Sequence, residues 1–246
     1  MLKISGLTQI YKGAMAPAVS SLELTVEKGE IFGLLGPNGA GKTTAISVMS
    51  TLRKPSSGNV QICGIDAIRH PWQVRRHIGV VPQDIALFDA LTASENLFYF
   101  GRLYGLRGKT LHSAVALGLD VAGISGRAKD PVKTFSGGMK RRLNLAAGIL
   151  HQPHLLFLDE PTVGIDAQSR NLILEKLLWL QQQGTTMVYT THYMEEAERI
   201  CSQLAIIDHG ILVALASPQQ LMAEHSECTD LGELFLKLTG RQLRDM

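Results

Sequence analysis

Cysteine is scarce. The 246-residue chain holds 3, at Cys63, Cys201 and Cys228, and no two stand at CxxC spacing. That excludes a disulfide framework and a zinc site as organising features, and three reduced thiols fit the cytosol. An excess of one charge is also missing: 24 Lys+Arg against 22 Asp+Glu leaves a net +2. The basic footprint of a nucleic-acid binder is therefore absent. No run of about 18 consecutive apolar residues occurs, so no transmembrane helix is encoded, even though the mean hydropathy is +0.09. The first residues, Met1-Leu2-Lys3-Ile4, carry no long apolar stretch and predict no secretory signal. Neither an internal repeat nor a low-complexity tract is visible. With 45% hydrophobic and 19% charged residues the chain can bury a sizeable core, which argues against disorder, collagen and coiled coil. Its length fits one large domain, with or without a small insertion.

What is present is an alternation of strands and helices. Ile31-Phe32-Gly33-Leu34-Leu35 is a short apolar run and predicts a buried strand. A helix over Ala40 to Thr51 follows, stopped by Lys54-Pro55-Ser56-Ser57-Gly58. Val60 to Cys63, Ile78 to Val81, Leu155 to Leu158 and Thr185 to Thr191 predict further strands. A helical stretch runs from about Thr92 to Leu150, broken near Gly105–Gly108 and Gly123–Pro131. Ser169 to Gln183 carries an apolar stripe at helical spacing. Leu204 to Asp208 and Ile211 to Leu215 flank His209-Gly210, a hairpin signal. This order predicts an α/β layer fold with a parallel sheet. The expected division is an α/β core from residues 1–88 and 152–215, an inserted helical subdomain over 89–151, and a helical tail over 216–246.

Three segments carry chemistry. Gly36-Pro37-Asn38-Gly39-Ala40-Gly41-Lys42-Thr43 is GxxxxGK[ST], directly after a strand and opening a helix. Its glycines let successive N–H groups point at phosphate oxygens, and the helix dipole adds to the attraction. Lys42 reaches toward the β- and γ-phosphates, and Thr43 offers its hydroxyl to Mg²⁺. Leu155 to Leu158 ends in Asp159 and Glu160. At a strand tip beside a phosphate loop, Asp159 suits Mg²⁺ held through a water, and Glu160 suits polarisation of an attacking water. Ser136-Gly137-Gly138 combines an N-cap with exposed N–H groups at a helix start, a second anion-binding turn. Two phosphate sites in one chain make most sense if the second serves a nucleotide on another chain.

With these motifs in order, the sequence resembles the nucleotide-binding subunit of an ATP-binding cassette transporter over essentially its whole length. Gly36 to Thr44 matches Walker A and Gln83, in Val80-Val81-Pro82-Gln83-Asp84, the Q-loop. Ser136-Gly137-Gly138 matches the signature motif. Leu155 to Glu160 matches Walker B, and Asp166, in Val163-Gly164-Ile165-Asp166, the D-loop. His192 matches the switch histidine. The usual signature glutamine is Met139 here. The resemblance implies a P-loop NTPase (RecA-like) core with a mixed sheet, a helical insertion and an N-terminal antiparallel β subdomain. It also implies binding of ATP and Mg²⁺, with nucleotide contacts from Tyr11 (stacking on adenine), Gly36, Pro37, Asn38, Gly39, Ala40, Gly41, Lys42, Thr43 and Thr44. Glu160, His192 and Gln83 are the implied catalytic residues, and Thr43, Gln83 and Asp159 the implied metal contacts. The implied partners are a second nucleotide-binding subunit and an integral membrane permease, not nucleic acid. The implied location is the cytoplasmic side of the inner membrane. SGGM followed by basic residues, and the ending Leu234 to Arg241, are similar to subunits of drug, polysaccharide or sodium exporters.

The alternatives are a soluble cassette ATPase acting on ribosomes or nucleic acid, and a nucleotide kinase. The former usually has two cassettes or a long coiled coil, and one GxxxxGK[ST] without sustained heptads favours the transport subunit. A kinase has no need of the Ser-Gly-Gly turn. Lys140-Arg141-Arg142 is expected to be a solvated face. His151 and His154 lack acidic or cysteine neighbours and are expected to be structural. Glu195, Glu196 and Glu198 are expected only to complement a helix dipole. Leu87, Phe88, Leu91, Leu97, Phe98, Tyr99 and Phe100 crowd just after Gln83, where a partner's helix is expected to dock.

Overall fold

The structure, a computed structural model, describes residues 1–240. It begins with β1 (Leu2–Gln9) and β2 (Val19–Val26), followed by β3 (Ile31–Leu35) and α1 (Lys42–Met49). Next come β4 (Ser57–Ile62), β5 (Ile65–Asp66), α2 (Pro71–Arg75) and β6 (Ile78–Val81). Three helices follow, α3 (Ala93–Leu103), α4 (Gly108–Val121) and α5 (Gly137–Ile149). The rest alternates: β7 (Leu155–Asp159), α6 (Ala167–Gln182), β8 (Thr186–Thr191), α7 (Met194–Ile200), then β9 (Gln203–Asp208) and β10 (Ile211–Ala216). α8 (Pro218–Glu224) and α9 (Leu231–Thr239) close the described chain. The end of the expected tail, including Arg241, lies outside the described residues.

Two sheets divide the strands. The larger has the order β10-β9-β3-β8-β7-β6, parallel except for the antiparallel β9–β10 pair. The smaller is antiparallel, in the order β2-β1-β4-β5. The expected mixed core and antiparallel β subdomain are both present. Within β3 every residue is buried, as a strand covered on both faces requires. Phe32 and Leu34 point into one apolar cluster, shared with α1 and the small sheet. Ile31 and Leu35 point into another, shared with α6, α7 and the closing helices. Period two thus becomes a layered structure. A third cluster, including Leu97, Leu111, Val115, Leu143 and Ala146, joins α3, α4 and α5 with Ile124, Val132 and Phe135 of the segment between α4 and α5.

Local chemistry sets the boundaries. α1 starts two residues later than expected because Gly41 has φ 105, which keeps the phosphate loop out of the helix. Its left-handed backbone favours glycine, and a Cβ there would sit 2.3 Å from the Ala18 carbonyl oxygen. The strand expected at Val60 to Cys63 is β4 instead, ending at Ile62 because Cys63 turns with φ 52. Its partners lie in the antiparallel sheet rather than beside β3. α3 opens on a capping box: the Glu95 N–H donates to Thr92 Oγ1 at 3.2 Å, and the Thr92 N–H to Glu95 Oε2 at 2.8 Å. The expected hairpin is β9–β10, with His209 and Gly210 both at positive φ.

Candidate functional site

The site forms where the C-terminal ends of β3, β7 and β8 meet, since parallel pairing aligns those ends. β3 delivers the loop of residues 36–41 into α1. Lys42, the first residue of α1, turns back and donates from Nζ to the carbonyls of Gly36 at 2.8 Å and Pro37 at 3.3 Å. Lys42 Nζ also lies 3.2 Å from Glu160 Oε1, with both side chains almost wholly buried. Glu160, beyond the end of β7, has φ 45, a costly conformation for a residue with a β-carbon. On its other side, Nδ1 of His192, beyond the end of β8, lies 3.2 Å from Glu160 Oε2.

Thr190 holds the two acids together, a part the sequence did not advertise. Its hydroxyl donates to Asp159 Oδ1 at 2.8 Å, while the Glu160 N–H donates to that same hydroxyl at 2.9 Å. The acids titrate in opposite directions. Burial pushes Asp159 above the usual carboxylate range, against the hydrogen bonds from Thr190 and Thr43. Burial also pushes Glu160 upward, but His192 and Lys42 together outweigh it and leave Glu160 below its ordinary value.

Tyr11 stands at the edge of this loop. Its hydroxyl and that of Thr44 share a hydrogen bond at 3.0 Å. Arg53, which the sequence did not single out, lies over the Tyr11 ring at 4.7 Å. Asn38, Gly39 and Thr43 are exposed, whereas Gly36, Pro37 and Ala40 are buried. A Cβ on Gly36 would come within 2.4 Å of the Ile207 carbonyl oxygen, so the loop packs tightly on β9.

Gln83 is exposed, and Arg141 on α5 donates to its backbone carbonyl. Lys140 pairs with Asp89 at 2.7 Å, and Arg142 donates to the Ala122 carbonyl at 2.8 Å. The expectation of a solvated basic face is therefore corrected: each of these cations reaches a partner within the chain. Ser136 caps α5 as expected, accepting from the Met139 N–H at 3.3 Å. Asp166 caps α6, accepting from the Ser169 N–H and hydroxyl, both at 2.8 Å. The first turns of α5 and α6 lie close together, since a Cβ on Gly138 would sit 2.1 Å from Ser169 Oγ and 3.3 Å from Asp166 Oδ2.

Among the described residues no group of His, Cys, Asp and Glu is arranged to hold a metal alone. His151 is a structural histidine: its Nε2 lies 2.8 Å from the Ile78 carbonyl oxygen, and its ring stacks on Tyr104. His154 stacks on His77. Glu195 and Glu198 are exposed, but Glu196 is buried among hydroxyls.

A lysine-bearing phosphate loop and a paired-acid strand tip on a mixed sheet, with a helical insertion, define a P-loop ATPase of the cassette class. The profile of the family described as ABC transporter matches residues 19–163. The chain belongs to that family, as an ATP-binding, ATP-hydrolysing subunit. The linearmycin resistance ATP-binding protein LnrL of Bacillus subtilis is 46% identical over 97% of this chain and 75% of its own length. The Nod factor export ATP-binding protein I of Ralstonia nicotianae is 40% identical over 96% of this chain and 72% of its own. A solved ATP-binding subunit of an ABC transporter superposes with TM-score 0.86 at 26% identity, over 97% of this chain and 99% of its own. A dimeric ATP-binding cassette bound to ADP and Pi superposes with TM-score 0.80 at 26% identity, over 88% and 98%.

Proposed function

We propose that this chain powers an exporter, two cassettes closing head to tail around two ATP molecules beneath a separate permease. The meeting of Lys42, Glu160 and His192 at one sheet edge carries the reading of the site. Lys42 and the N–H groups of residues 36–44, apart from Pro37, which has none, bind the phosphates, and Tyr11 stacks on the base. Glu160 orients and polarises the attacking water, and the depressed carboxyl keeps it ionised. His192 and Gln83 complete the surroundings of the γ-phosphate. Mg²⁺ fits the oxygen donors present: Thr43, Gln83 and, through a water, the buried carboxylate of Asp159. When bound, it neutralises developing phosphate charge.

Ser136, Gly137 and Gly138 complete the site of the opposing cassette, whether a second copy or a paralogue. Ser136 and Gly137 are exposed, and Asp166, at the facing D-loop, is exposed beside them. Residues 1–88 and 152–215 act as the catalytic core, 89–151 as the subdomain that carries the signature and 216–246 as the tail. Similarity to proteins named for linearmycin resistance and Nod factor export supports an outward direction. No helix among the described residues is long and apolar enough to cross a membrane. Similarity to subunits named for resistance and export supports attachment through a separate permease, on the cytoplasmic face of the inner membrane. Phe88, Tyr99 and Leu103 are exposed, and a groove of about 560 Å³ lined by Leu91, Phe98, Tyr99 and Leu103 suits a permease helix.

The test is Glu160→Gln. The variant should bind ATP, release almost no phosphate and accumulate as an ATP-bound dimer on size exclusion. Normal hydrolysis by a monomer at saturating ATP would overturn the role assigned to Glu160.

A further inference from the structure

Glu196 stands in the first turn of α7, yet it is only 3% exposed. Its Oε2 accepts from three hydroxyls: Tyr189 at 2.5 Å, Thr162 at 2.9 Å and Thr191 at 3.0 Å. Its Oε1 lies 3.4 Å from Arg170 Nε, an ion pair without hydrogen-bond alignment. The Arg170 guanidinium in turn lies 4.6 Å from the centroid of the Tyr193 ring. Burial and the neighbouring Glu196 charge push the Tyr189 hydroxyl well above its ordinary range, so it stays a neutral donor.

These partners come from separate segments of the site. Thr162 is two residues beyond Glu160. Thr191 immediately precedes His192, and it also accepts from the Tyr193 N–H at 2.9 Å. Both neighbours of His192 are thereby held, Thr191 by the carboxylate and Tyr193 by Thr191 and Arg170. Arg170 lies in the first turn of α6, whose cap is Asp166. A buried carboxylate is costly unless its partners are well placed, and an apolar residue of similar size would fill the space at less cost. Removing one partner from so compact a network displaces the others, because they share one acceptor.

We propose that Glu196 is a positioning residue for ATP hydrolysis. Its carboxylate locks the segment after Glu160, the strand end before His192 and the first turn of α6 into one unit. That unit holds His192 against Glu160 and sets the D-loop relative to both. The proposal rests on the roles given above to Glu160 and His192.

The test compares steady-state ATPase kinetics and thermal melting of the full chain across variants, with Glu160→Gln as reference. Glu196→Gln keeps the shape but replaces one acceptor oxygen with a donor. Its kcat should fall roughly 10²-fold, the cost of misplacing a catalytic group by about an ångström. The KM for ATP and the melting temperature should stay near the parent values. Thr191→Val should reproduce the loss, and Thr191→Ser, which keeps the hydroxyl, should restore turnover. Parental kcat in Glu196→Gln and Thr191→Val, with Glu160→Gln inactive, would overturn the proposal and leave the site reading intact. So would a kcat loss that tracks a fallen melting temperature and vanishes on cooling, which marks a merely structural role. Normal hydrolysis by Glu160→Gln would overturn the site reading, and the proposal with it.

Discussion

Lys42 and Glu160 face each other at 3.2 Å with both side chains almost wholly buried, although one opens α1 and the other follows β7. Lys42 is the lysine paired with this carboxylate, so removing it leaves the buried Glu160 with His192 alone.

Lys42→Met should therefore cost stability as well as nucleotide binding. We expect a loss of about 1–3 kcal/mol, the penalty for a buried polar group left without its partner. Lys42→Met combined with Glu160→Gln should recover much of it. Chemical denaturation of the four proteins in this cycle measures the coupling, and additive losses would refute it.

The pH dependence of stability follows from the depressed carboxyl of Glu160. Its contribution is present above the ordinary glutamate value of 4.5 and is lost as pH falls through the lower folded value. Glu160→Gln should flatten the acid limb of a plot of melting temperature against pH. An unchanged limb would show that the charge contributes nothing to folding.

Asp159 runs the other way. Burial raises its value, so the ionised form weakens the fold as pH rises through the carboxylate range. Asp159→Asn keeps an oxygen for the Thr190 hydroxyl and removes the buried charge. The variant should melt higher at neutral pH, by about 2–4 °C for each kcal/mol recovered, while its phosphate release falls sharply. A lower melting temperature would contradict this sign.

Gly138 has no room for a side chain, because a Cβ would meet Ser169 Oγ at 2.1 Å. Gly138→Ala should push the start of α5 away from the D-loop. Hydrolysis should drop while monomer affinity for a fluorescent ATP analogue, set by the phosphate loop, stays unchanged. Adding Ser169→Gly should return part of the activity, and absence of any rescue would exclude this contact as the cause.

On α3, Leu103 is 66% exposed, and Phe88, just before the helix, packs edge-on against Tyr99. Phe88→Asp and Leu103→Asp should leave the basal ATPase of the isolated chain near parental levels and uncouple transport in the assembled complex. Export by membrane vesicles at parental rates would dismiss this face as the permease contact.

Much of the core was legible because its signals are local. The strand at Ile78 to Val81 was expected and found, and the hairpin at His209-Gly210 formed where its turn residues stood. Ser136 is a cap because a hydroxyl three residues before a free N–H is a purely local arrangement. The antiparallel β subdomain follows from the family resemblance, but β1 and β2 are not placed by residue, although Leu22, Leu24 and Val26 alternate with polar residues in the manner of a half-buried strand. Lys140, Arg141 and Arg142 were misjudged because their partners, Asp89, the Gln83 carbonyl and the Ala122 carbonyl, are distant in sequence.

The sequence by itself determined the class: a phosphate loop, a paired-acid strand tip, a signature turn and a histidine, in a fixed order. Glycine conformation, strand apolarity and capping chemistry act over a few residues and can be read in one dimension. Only the tertiary structure decided that Thr190 bridges Asp159 and Glu160, that Gly138 abuts Ser169, and that Glu196 is a buried hub. Those relationships depend on which strands lie side by side and which helix ends meet. Parallel pairing joins segments far apart in the chain, and no short-range pattern encodes their register.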